Sequence, residues 1–285
     1  MTLVSILITF VAAVLGGTLN GVAGGGTFLT LPSLLYVGVP PIQANATSSA
    51  ALWPGSAAAA WALRKELLRQ NKKLLLVLGI TSFIGGTSGA LLLLVTSQST
   101  FVHMIPYLLL LATILFTLSP LVSARIKRGL AERRKQAALV KVNAAGEVVE
   151  EVTMARETTG GPSLPALMGI AALQLVIAVY GGYFGGGIGI LMLASLGMLG
   201  IEDLNEMNAV KNVLAACING VAIITFIVAG AIVWLNALIM VAGAILGGYG
   251  GVYFARKLDQ RIVRGFVIFV GCVMTIYFFF KYGFF

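Results

Sequence analysis

The sequence predicts an all-α polytopic membrane protein made of two inverted-topology repeats. Each repeat reads as a broken-helix hairpin with a short arm plus three full transmembrane helices. Three observations predict this. First, the 285 residues are 59% hydrophobic and only 10% charged, against roughly 25% charged in a soluble domain. Second, apolar runs of the roughly 20 residues that a bilayer crossing needs fill almost everything outside one central segment. Third, the chain repeats itself. Gly21-Val22-Ala23-Gly24-Gly25-Gly26 recurs as Gly182-Tyr183-Phe184-Gly185-Gly186-Gly187, Asn45-Ala46-Thr47-Ser48 aligns with Asn208-Ala209-Val210-Lys211, and Gly85-Gly86-Thr87-Ser88-Gly89 recurs as Gly247-Gly248-Tyr249-Gly250-Gly251. The offsets are 161, 163 and 162, so three anchors keep their order at nearly constant spacing.

The elements follow in order. Repeat one, 1–123, opens with an apolar helix over 3–20, breaks at 21–26, and continues as a short helix over 27–38 and full spans near 45–63, 74–95 and 102–123. A connector occupies 124–163. Repeat two, 164–285, gives a helix near 164–181, a break at 182–187, a short helix near 188–200 and full spans near 207–230, 233–254 and 263–281. The short helices fall well below the length of a straight crossing, so each is either re-entrant or tilted. The connector runs from basic (Arg133, Arg134, Lys135) to acidic (Glu147, Glu150, Glu151), and Val140 to Val152 alternates as a small hairpin would. It reads as a tether between the repeats or as a regulatory or partner-binding element.

Basic residues set the orientation. Arg64, Lys65, Arg69, Lys72 and Lys73 mark one cytoplasmic loop, the connector's Arg125 to Lys135 a second, and Arg256, Lys257, Arg261 and Arg264 a third, while 96–100 is uncharged. In equivalent loops the basic bias swaps sides between copies, which is what an upside-down second copy requires. Both termini are expected outside and the central loop in the cytoplasm. The net charge of +9 is spent on these clusters and points to the lipid bilayer as the partner, not nucleic acid. The first basic residue is Arg64, so no cleaved signal peptide is expected. Cys217 and Cys272 lie in apolar runs and read as core residues without a metal. His103 reads as interfacial. No cofactor is expected, and no Walker motif, HExxH or GxSxG appears, so ATP hydrolysis and proteolysis lack their parts.

Breaking a helix inside a bilayer leaves backbone groups unpaired at several kcal/mol each, unless they line a wet cavity or are buried in protein. Glycine also lets a ligand approach the main chain. The helix after each break points its N-terminal N–H groups at the gap, a natural anion site. Candidate substrate-binding residues are therefore Gly24, Gly25, Gly26 and Gly185, Gly186, Gly187, joined by Asn45, Thr47 and Ser48 in repeat one and Asn208, Lys211 and Asn212 in repeat two. Lys211 is a basic residue set inside an apolar run with Asn208 and Asn212 on its own face, either as counter-charge to an anion or snorkelling to the surface. Gly85, Gly89, Gly243, Gly247 and Gly251, spaced by four, read as helix-packing positions. Asp203 with Glu206 reads as a capping box for the helix that follows. No carboxylate lies deep in a span, which leaves a carboxylate proton relay without members.

The two glycine breaks, Thr27-Phe28-Leu29-Thr30-Leu31-Pro32, Asn45-Ala46-Thr47-Ser48-Ser49 and Asn208-Ala209-Val210-Lys211-Asn212 together resemble the sulfite exporter TauE/SafE family over nearly the whole chain except 124–163. The resemblance implies a carrier of the bacterial inner membrane for sulfur oxyanions or organosulfonates such as sulfite or sulfoacetate, often outward. The expected function is a secondary transporter with a small anionic substrate bound between the repeats. Two other classes stay open: an anion channel of the same architecture, and a non-transporting scaffold that uses the connector.

Overall fold

The computed structural model describes residues 2–22, 25–140, 164–198, 201, 204–255 and 260–282, and among them every regular element is helical. In chain order these are α1 (Leu3–Val22), α2 (Thr27–Tyr36), α3 (Pro41–Ala62), α4 (Arg64–Leu67), α5 (Lys72–Val95), α6 (Gln98–Val140), α7 (Leu164–Tyr183), α8 (Ile188–Met198), α9 (Leu204–Val228), α10 (Trp234–Ala255) and α11 (Gln260–Tyr282). Both breaks fall where the glycines stand. Both following helices are short, at 10 and 11 residues. Among the described residues four helices are long and apolar enough to cross a membrane, within α1, α5, α6 and α9.

Apolar side chains cover the outside as well as the core. On α1, Leu3, Leu7, Val11 and Leu15 form an exposed stripe at four-residue spacing, and Phe269, Val273, Ile276 and Phe280 form one at three- and four-residue spacing on α11. A soluble protein does not expose such contiguous faces; hydrocarbon is their natural solvent. The α3 helix is less apolar because its polar residues point inward: Asn45, Thr47 and Ser48 are all buried.

Helix packing follows the glycines. The α1 helix lies along α10, and α5 lies along α7. A β-carbon added to Gly247 would come within 2.6 Å of the Val14 carbonyl carbon, and one on Gly85 within 2.8 Å of Leu175 O. Gly243 meets Phe10 O and Gly89 the Val179 main chain in the same way, so these four are packing positions as the spacing predicts. Thr18 Oγ1 donates to Gly247 O at 2.9 Å across the first seam, and Gln174 Nε2 to Ser82 Oγ at 2.8 Å across the second. The α3 and α9 helices pack together, and the partly exposed Trp53 Nε1 donates to Ala216 O at 3.0 Å across the contact. The α2 helix packs on α1 and α3, α8 packs on α7 and α9, and α6 pairs with α11.

Two elements differ from the sequence reading. The helix read as ending at 123 continues to Val140. At 43 residues it runs about 65 Å, about twice the hydrocarbon thickness, so its basic end extends past the bilayer. Apart from Gly129, residues 124–140 are mostly good helix formers without proline, and one glycine does not stop the helix. The hairpin read at 140–152 lies outside the described residues beyond Val140. Glu206 is held from another element: its Oε2 accepts from Gln70 Nε2 at 2.6 Å. That bond joins the turn after α4 to the first turn of α9; Asp203 lies outside the described residues.

Candidate functional site

The second break is held open by two glycines with left-handed backbone, Gly185 at φ +80° and Gly187 at φ +77°, conformations that glycine adopts without steric cost. Phe184 N and Gly185 N both donate to Tyr180 O, at 2.9 and 3.3 Å, and the Tyr180 hydroxyl donates to Gly186 O at 2.7 Å. Beyond these bonds the backbone changes direction. The first amide of the new helix with a main-chain acceptor is Ile190 N, on Gly187 O at 3.1 Å. The N–H groups of Gly186, Gly187, Ile188 and Gly189 have no acceptor among the described residues. Four successive donors therefore stand at the positive end of α8.

The first break is closed more tightly. Gly26 is helical, with φ −57° and ψ −35°. Its carbonyl accepts from Leu29 N, Thr30 N and the Thr30 hydroxyl at 3.1–3.2 Å, while Gly25 O accepts from Phe28 N at 3.2 Å. Gly24 lies outside the described residues. The two breaks face each other across a narrow gap lined by Thr27, Phe28, Leu109, Phe184 and Gly186, pinched too tightly to hold a water molecule.

The side chains picked from the sequence separate into two groups. Lys211 is half-buried, and its stem runs past α8: a β-carbon on Gly189 would lie 3.5 Å from Lys211 Cδ. The lysine thus lies beside the helix start with the four open donors. Asn208 and Asn212, on the same face of α9, are also half-buried. Asn45 reaches the other half, its Nδ2 donating to Tyr183 O at 2.9 Å just before the second break. Thr47 and Ser48 are engaged elsewhere. Thr47 Oγ1 accepts from Val233 N at 3.1 Å, next to the start of α10, and Ser48 Oγ pairs with Thr30 Oγ1 at 2.6 Å.

Three residues at this centre escaped the sequence reading. Tyr180 and Thr30 tie the break carbonyls, and Asn219 Oδ1 would lie 3.9 Å from a β-carbon on Gly185. Asn219 was findable, because it continues the Asn208–Asn212 face by two more turns of α9. Tyr180 carries no such signal, since its partner is decided by how α7 ends.

A family model described as sulfite exporter TauE/SafE matches residues 9–278, nearly the whole chain. The chain belongs to the sulfite exporter TauE/SafE family. It is similar to a probable membrane transporter protein YfcA of Escherichia coli K12, 25% identical over 270 residues covering 94% of this chain and 87% of that one. It is similar also to a probable membrane transporter protein of Haemophilus influenzae, at 26% over 270 residues (94% and 92%), and to one of Sinorhizobium, at 26% over 269 residues (94% and 89%). No solved structure gives a significant match. This TauE/SafE protein is a membrane transporter, and its relatives carry transporter names, not enzyme names.

Proposed function

We propose that the protein is a secondary transporter that exports sulfur oxyanions or organosulfonates, sulfite or sulfoacetate among them, across the bacterial inner membrane. The observation that carries this reading is the row of four open N–H donors at Gly186–Gly189 beside the Lys211 stem, facing the first break across a narrow gap. An oxyanion offers acceptor oxygens in several directions, so it takes several main-chain donors at once, and Lys211 balances its charge. Asn208 and Asn212 add donors from the same face of α9. Gly25, Gly26 and Asn45 shape the opposite wall.

Alternating access comes from two inverted repeats, 1–123 and 164–285, rocking about the site. The packing supports this. The α1–α10 and α7–α5 pairs exchange under a swap of halves, as do α2 on α1 and α3 and α8 on α7 and α9, and the α3–α9 and α6–α11 pairs map onto themselves. Gly247 against Val14 and Gly85 against Leu175 are the same contact in the two copies. The distribution of basic residues supports a cytoplasmic connector with both termini outside. The gap's aromatic lining, Phe28 and Phe184, favours a carrier over an open channel.

The test is sulfite and sulfoacetate flux in proteoliposomes. Lys211→Ala is expected to lower flux at least tenfold and Asn45→Ala severalfold, with saturation by substrate in the parent protein. Unchanged flux in both variants removes this site. Flux that rises linearly with concentration and shows no counter-transport makes the protein a channel.

A further inference from the structure

The second break has an oxygen side as well as a nitrogen side. Because Phe184 N and Gly185 N both turn to Tyr180 O, the next carbonyls, Gly181 O and Gly182 O, receive no amide among the described residues. Tyr183 O accepts Asn45 Nδ2, and that bond fixes the amide. A carbonyl accepts only from the NH2 group, so Asn45 Oδ1, on the same amide beside the end of α7, takes no part in that bond. It accepts no hydrogen bond among the described residues, although Asn45 is only 1% exposed. Buried amide oxygens are rarely left so, and one that is calls for an explanation. Asn219 brings a second amide oxygen to the same helix end. A β-carbon on Gly185 would sit 3.3 Å from Gly181 O and 3.9 Å from Asn219 Oδ1, so both oxygens flank the bare face of that glycine.

We propose that the C-terminal end of α7 is a binding site for a sodium-sized monovalent cation, held by Gly181 O, Gly182 O, Asn45 Oδ1 and Asn219 Oδ1. The end of a half-helix carries negative partial charge, as its successor's start carries positive. Broken helices in transporters seat cations on the former and anions on the latter. All four groups are hard neutral oxygens, which suit a small cation of low charge; a divalent ion calls for carboxylates. No cluster of three or more acidic, histidine or cysteine residues occurs among the described residues. A cation on neutral oxygens needs its counter-charge from outside the set. An anion on Gly186–Gly189, a few residues along the chain, supplies it. The cation site therefore strengthens anion binding, a second step that rests on the proposed anion site, whereas cation binding itself does not.

The experiment uses the purified full-length protein in detergent, with thermal unfolding followed at constant ionic strength in sodium, potassium or N-methylglucamine gluconate. Sodium is expected to raise the Tm saturably. Asn219→Ala is expected to weaken the sodium midpoint at least tenfold, and Asn45→Ala to act in the same direction. Asn219 is half-buried and its side chain makes no hydrogen bond among the described residues, so its variant reports even where Asn45→Ala does not fold. Identical Tm curves in the three salts overturn the cation site, as does an unchanged sodium midpoint in Asn219→Ala. Calorimetric titration with sulfite then reads the coupling: about tenfold tighter binding in sodium than in N-methylglucamine is expected. Equal affinity in both salts overturns the coupling. Sodium stabilisation without any sulfite binding supports the cation site and removes the anion reading.

Discussion

The two glycine breaks share a sequence and differ in what they do with it. The first is a joint. Gly26 has ordinary helical backbone, and it is space that requires glycine: a β-carbon there would come within 2.6 Å of Gly16 O and 2.9 Å of Leu52 Cδ1. Its carbonyl is saturated, and the polar residues of the following span, Thr47 and Ser48, are buried and bonded to Val233 N and Thr30. The second break is an opening. Gly185 and Gly187 are left-handed, four amides have no acceptor among the described residues, and the facing residues Asn208, Lys211, Asn212 and Asn219 are half-buried. The comparison teaches that a repeated motif fixes where a helix stops. Whether the stop becomes scaffold or site depends on the helices packed around it.

The comparison can be broken at its foundation first. Gly247→Leu and Gly85→Leu both drive a side chain into a neighbouring backbone, so each is expected to cost about 3 kcal/mol or more and to lower the yield of folded protein. Equal losses, read by thermal unfolding in detergent, support equivalent seams; a large difference would show that the halves are not packed alike. Next come the breaks themselves. Gly187→Ala has room, its nearest neighbour being the Ala112 Cα at 3.5 Å, and suffers only the left-handed backbone, about 1–2 kcal/mol. Gly187→Asn should regain part of that, since asparagine tolerates the conformation. At Gly26 the obstacle is volume, so Gly26→Asn is expected to be worse than Gly26→Ala. The opposite order in Tm at the two sites is the signature, and the same order at both would erase the distinction between joint and opening. The smallest effect is at Thr47→Val, which removes the acceptor for Val233 N and should cost about 1 kcal/mol, a fall of about 2–4 °C in Tm. No fall would mean that this bond contributes nothing to the start of α10.

Much of this was legible in order along the chain. Triple glycine in apolar sequence predicts the interruption, and the 10- and 11-residue helices that follow are where the apolar runs placed them. Four-residue glycine spacing predicts close helix contact, and Gly85, Gly89, Gly243 and Gly247 make it. Lys211 stood out as a charge at depth and lies beside the start of α8. What escaped shares one cause. Trp53 on Ala216 O, Thr47 on Val233 N and Gln70 on Glu206 join residues 163, 186 and 136 positions apart. No local pattern reports a hydrogen bond of that span. Glu206 reads as part of a cap from its place near a helix start, and the approach of the α4 turn gives its carboxylate a partner that no local pattern announces.

The amino-acid order alone determined that the chain lives in a bilayer, that its glycine motifs recur at nearly constant spacing, and that helices are interrupted at both triple-glycine stretches. Those follow from hydropathy, repetition and the conformational freedom of one residue type, all of which act locally. The tertiary structure decided which interruption is sealed and which keeps open donors and acceptors, and that Asn45 of one half completes the break of the other. These depend on distances between segments far apart in the chain, where a backbone group is either within reach of a partner or left unpaired.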